Sequence, residues 1–79
     1  MAYCDLLEVN ERGAVYMYGS DATIKTGKVQ FYREYKTPLI LQEPKEGHVR
    51  LSDLCGVALK HKANFAKGVF PQKVAFEYC

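Results

Sequence analysis

Residues 3–18 read Tyr-Cys-Asp-Leu-Leu-Glu-Val-Asn-Glu-Arg-Gly-Ala-Val-Tyr-Met-Tyr, two β-forming runs around Asn10-Glu11-Arg12-Gly13. Asn first and Gly fourth is the composition of a type I turn, and Gly tolerates the positive φ that a tight hairpin can demand at its exit. Ala14 to Tyr18 is dense in residues that suit a pleated surface. Tyr3–Val9 and Ala14–Tyr18 are therefore expected to run antiparallel, and Gly19-Ser20-Asp21 ends the pair.

Downstream, Lys28 to Tyr35 alternates, with Val29, Phe31, Arg33 and Tyr35 on one side and Gln30, Tyr32 and Glu34 on the other. That is the pattern of a strand with one buried face. Pro38 interrupts it, and Leu39-Ile40-Leu41 suggests a short further strand with the proline at its edge. Lys73 to Tyr78 alternates again through Val74, Phe76 and Tyr78.

Between these lies a helical stretch. Ser52 is an N-cap type, Asp53 suits the positive end of the dipole, and Lys67-Gly68 with Pro71 beyond is a stop signal. At helical spacing Leu51, Leu54, Cys55, Ala58, Leu59, Phe65 and Ala66 share a face, opposite Asp53, Lys60, Asn64 and Lys67. Two residues disturb the stripe. Gly56 costs about 1 kcal/mol against Ala in a helix interior, and Lys62 falls among the apolar positions, so either its stem snorkels or the helix bends near Gly56.

The order β-β-β-(β)-α-β implies an α+β fold in one domain, residues 1–79. An antiparallel sheet of four or five strands is covered on one face by one main helix, Ser52 to Lys67. Leu54, Cys55, Ala58 and Phe65 are expected to meet Val29, Phe31, Val74 and Phe76 in the core.

Composition agrees with a globule: 48% apolar against 25% charged residues is too hydrophobic for a disordered chain. Net charge is +2, too small to argue for nucleic acid or an anionic membrane. The charge is uneven, however. Val49 to Lys73 holds Arg50, Lys60, Lys62, Lys67 and Lys73 against Asp53 alone. No apolar run approaches the roughly 18–20 residues that span a bilayer. Without an export pattern at Met1–Glu8, a cytoplasmic protein without a membrane partner is expected. Cys4, Cys55 and Cys79 are few, odd in number and far apart, unlike a disulfide framework. Cys4 and Cys55 read as small core residues and Cys79 as an accessible end.

The candidate chemistries are weakly marked. Structural zinc sites place two ligands on one turn, as in C-x2-C. Cys4, His48, Cys55, His61 and Cys79 show no such pair, so no metal is expected. Cys55 and His61, six apart, fall on different sides of a straight helix and make a poor catalytic dyad. Ser20-Asp21 and Ser52-Asp53 have simpler roles in a turn and a cap. Thr26-Gly27-Lys28 resembles the end of a phosphate-binding loop, but Gly19 is too far upstream and Val29 stands where magnesium needs Ser or Thr. No cofactor is expected.

Nucleic acid has two weak signatures. Leu51 to Ala58 with Gly56 loosely fits a helix-turn-helix that would aim Lys60, His61 and Asn64 at a groove. Lys28 to Lys36 interleaves bases with aromatics, as single-strand binders do. Protein interaction is the leading expectation. One helix covers only one sheet face, so some of the six tyrosines should be exposed, and an uncovered strand edge invites a partner or a second copy. The reading is a non-enzymatic interaction module, with self-association to a homodimer among its routes and Tyr16, Tyr18 and Tyr32 as the candidate surface. The alternative is a weak nucleic-acid binder using Arg50, Lys60, Lys62, Lys67 and Lys73, and a small enzyme stands third.

Overall fold

The computed structural model describes residues 1–77. Its elements are β1 (Ala2–Val9), β2 (Gly13–Gly19), β3 (Gly27–Tyr32), β4 (Leu39–Gln42), α1 (Leu51–Lys60), α2 (Lys62–Ala66) and β5 (Lys73–Phe76). The strands form one sheet in the order β4-β3-β2-β1-β5, antiparallel throughout. The helices pack on one face, so the α+β fold read from the sequence is the fold observed.

The first hairpin closes on Asn10. Its Oδ1 accepts the backbone N–H of Arg12 at 3.0 Å and of Gly13 at 2.9 Å, while its own N–H donates to the Gly13 carbonyl at 2.9 Å. Among the described residues none but glycine has a positive φ, which rules out the primed turn types here. Gly13 is needed for a different reason: a Cβ there would collide with the Phe31 carbonyl of β3. In β1 the register shifts between Leu6 and Glu8, so Leu7 is an extra residue. Leu6, in step with Ala2 and Cys4, packs against the core, while Leu7 in the bulge stays exposed.

Alternation along the strands turns Ala2, Cys4, Ala14, Tyr16, Tyr18, Val29, Phe31 and Val74 toward the helices, and all are buried. Leu54, Val57, Ala58 and Phe65 close the layer from above. The expected core is present in Leu54, Ala58, Phe65, Val29, Phe31 and Val74, whereas Cys55 and Phe76 are only partly buried.

Three boundaries differ from the sequence reading. The third strand ends at Tyr32, not Tyr35, because its partner β2 begins at Gly13, opposite Tyr32, and residues beyond have little left to pair with. The expected continuous helix is two helices broken at His61, with Gly56 inside an unbroken α1. Gly56 earns its place by proximity, since a Cβ there would lie 2.6 Å from a ring carbon of Phe76. At the break His61 has φ −108° and ψ 18°, and the Lys62 ammonium that follows sits 5.1 Å over the Tyr35 ring.

The N-cap of α1 is Arg50, not Ser52, and no side chain caps it. Asp53, in the first turn, is buried, with Oδ2 3.3 Å from the terminal amine of Met1 and Oδ1 3.6 Å from the Arg50 guanidinium. The last strand is described to Phe76. Tyr78 and Cys79, expected to extend it and to end the chain, lie outside the described residues.

Two outcomes follow from this packing. Phe31→Ala should cost about 3–5 kcal/mol in denaturant unfolding. Leu59→Ala, at a position 59% exposed on the same expected stripe, should stay within about 0.5 kcal/mol. Burial, then Lys60, hold the His61 imidazole below its ordinary value of 6.5. In the window below 6.5 the unfolded chain binds more protons at this site than the folded chain, so stability falls as pH drops through it. His61→Gln should flatten that slope in melts between pH 7 and 5.

Candidate functional site

The sheet has two edges, and they are treated differently. On β5, α1 packs close by and Lys60 Nζ donates to the Ala75 carbonyl at 3.4 Å. Lys73 on the same strand is ion-paired with Asp5 at 3.2 Å. Helix cover and lysines are common defences of a sheet edge.

Among the described residues nothing comparable covers the β4 edge. Leu39-Ile40-Leu41-Gln42 carries no charge, and Leu39 and Leu41 are 48% and 51% exposed. Ile40 pairs with Val29 and packs toward the core. Leu41 is the extra residue of a second bulge, set between Ile40 and the Gln42–Lys28 pair. The strand is nevertheless anchored: Gln42 Nε2 donates to the Thr26 carbonyl, and the Lys45 N–H to Thr26 Oγ1, both at 2.7 Å. Pro38 and Pro44 bracket it, with exposed Lys36 before and exposed Glu43 after.

The sheet face away from the helices carries charge. Asp5 is held by Lys25 at 2.9 Å as well as by Lys73. The hydrogen bond from Lys25 outweighs the opposing effect of burial and, with the weaker one from Lys73, keeps this carboxyl below the usual carboxylate range.

At one end of the sheet, Glu11, Arg12, Tyr32, Arg33, Glu34 and Lys36 line an open hollow of about 490 Å³. Lys36 Nζ lies 4.1 Å over the Tyr32 ring.

Of the expected tyrosine surface, Tyr16 and Tyr18 are fully buried and belong to the core. Both sit on the strand face under the helices. The Tyr16 hydroxyl donates to the Pro71 carbonyl at 2.6 Å. The Tyr18 hydroxyl is buried without a hydrogen-bond partner, and burial, then Glu43, push it up to about 12. Tyr32 is half-buried beneath Lys36, while Tyr35, not singled out from the sequence, is 50% exposed.

The five basic residues of the alternative reading do not gather on one surface. Arg50 turns to Asp53 at the start of α1, Lys60 lies on the β5 edge, and Lys73 is paired with Asp5 on the outer face. Lys62 lies over Tyr35, and Lys67 caps α2. The helix-turn-helix expectation also fails, because one residue rather than a turn of about three or four separates α1 and α2. His61, meant for a groove, stacks on Phe65 at 5.8 Å.

Of the residues expected in simpler roles, Asp21 takes up its turn, whereas Ser52 does not cap α1. Asp21 Oδ1 accepts both the N–H and the hydroxyl of Thr23 at 2.8 Å, an Asx turn. Gly27 begins β3 beneath the Tyr18 ring. Among the described residues no group of three or more His, Cys, Asp or Glu side chains is placed to hold a metal ion, and no helix is long and apolar enough to cross a membrane.

Burial pushes the Cys4 thiol up to about 12, whereas Cys55 is partly exposed beside Tyr35, Lys36 and Thr37. Iodoacetamide on the native protein should therefore modify Cys55 well before Cys4, and peptide mass spectrometry over time measures the order. Compared with protein-family models, with curated proteins and with solved structures, the chain matches none.

Proposed function

We propose that the protein is a non-enzymatic interaction module that docks by strand addition at β4, and that the strand it receives is β4 of a second copy. The observation that carries this is the contrast between the edges. β5 is covered and crossed by a lysine, whereas β4 presents two half-exposed leucines and no charge. Strand addition draws affinity from the main chain and specificity from alternate side chains.

The flanking charges favour a second copy. In antiparallel self-pairing about a twofold axis, the segment before one strand lies beside the segment after the other. With the axis between Leu39 and Ile40, Lys36 of each chain then approaches Glu43 of its partner, twice per dimer. Parallel pairing would set like charges together. Pro38 and Pro44 confine the ladder to the short segment between them, since proline cannot donate a ladder hydrogen bond. A reducing, cytoplasmic setting suits this reading, with the free thiols of Cys4 and Cys55 kept reduced.

Sedimentation velocity across micromolar concentrations tests the proposal. The native chain should show a reversible monomer–dimer equilibrium. Lys36→Glu and Glu43→Lys should each shift it to monomer, the double swap should restore the dimer, and Leu41→Lys should abolish it. Circular dichroism should show each variant folded, because all three sites are exposed. A native chain that stays monomeric, or a double swap no better than either single change, would overturn the proposal.

A further inference from the structure

We infer that the hollow between the β1–β2 turn and the segment following β3 binds a small phosphate-bearing molecule, gripped by Arg12 and Arg33. This site adjoins the β4 edge and shares Lys36 with it, but its two arginines lie outside that edge and it does not rest on self-pairing.

The last pair of the β2–β3 ladder is Gly13 with Tyr32, and the ladder runs one step further through the Arg33 N–H, which donates to the Arg12 carbonyl at 3.0 Å. That bond sets two arginines side by side across the strands. Like charges in such a position repel. Both residues are exposed, and among the described residues neither forms an ion pair. Glu11 and Glu34 line the same hollow without closing on either guanidinium.

The arrangement is held in place. A Cβ on Gly68 would lie 3.8 Å from Arg33 Cζ, so that guanidinium rests against the turn ending α2. Lys36, over the Tyr32 ring, adds a third cation to the wall. Two guanidiniums can each present paired N–H donors to one tetrahedral anion, the geometry that makes arginine suited to phosphate. A volume of about 490 Å³ admits a compact phosphorylated molecule. Glu11 and Glu34 line the same hollow, so an extended polyanion lying along it would meet both carboxylates.

The test titrates inorganic pyrophosphate into the full chain, followed by amide NMR at Gly13 and Arg33 and by thermal melting at constant ionic strength. The expected result is saturable shifts at those amides and a raised melting temperature. Arg12→Gln and Arg33→Gln should each weaken binding about tenfold or more. The same two variants should melt no lower than the native chain without ligand, because they remove the repulsion. Lys45→Gln, outside the hollow, should bind as the native chain does. Shifts that do not saturate, an equal response to chloride, or ligand-free variants that melt well below the native chain would each overturn the inference. So would affinity that climbs with the length of a single-stranded oligonucleotide, which would make the ligand nucleic acid.

Discussion

Phe65 is the point on which the two layers close. Its ring lies 5.5 Å from Phe31, 6.4 Å from Tyr16 and 5.1 Å from Phe70, with His61 stacked on its other side. Tyr16 meets Phe31 edge-on at 5.5 Å, so rings from β2, β3, α2 and the segment before β5 form one cluster. A chain this short has a single layer of core to spend its apolar surface on, and aromatic pairs add to what burial alone contributes. Phe65 stands on a helix of five residues, far too short to hold itself in water. The cluster thus stabilises α2.

Much of this was legible in residue order. The Asn10–Gly13 turn, the strand runs on both sides and the Lys67-Gly68 stop are local signals that the fold keeps, although the equally local Ser52 cap gives way to Arg50. What was not legible depended on partners. Ala14-Val15-Tyr16-Met17-Tyr18 is apolar at every position, so its alternation carries no sign, and Val15 is nearly as buried as Tyr16. Which face the helices would cover is a tertiary fact, and with it went the expectation that Tyr16 and Tyr18 lie outside. Likewise, Lys62 breaks the stripe of a continuous helix only if the helix is continuous.

The candidate site was less legible still. That β4 would be an outer strand follows from the order of the whole sheet, which no segment encodes, although Pro38 had marked its neighbourhood as an edge. The neighbouring arginines depend on register: one residue of slip between β2 and β3 would have set Arg12 beside Glu34 or Tyr32 instead. Counting bases along Val49 to Lys73 could not reveal that Lys60 and Lys73 are occupied within the fold while Arg12 and Arg33 are not.

The strand order has a temporal consequence. β1 to β4 follow one another across the sheet as they do along the chain, so each can pair as soon as its predecessor exists. β5 instead pairs with β1, as in Cys4 with Val74, across nearly the whole chain. During synthesis the second edge of β1 therefore waits for a strand made last, with α1 and α2 emerging in between. The meander is the part that can assemble early, and docking of the C-terminal strand is a late, long-range closure whose loop entropy sets the pace.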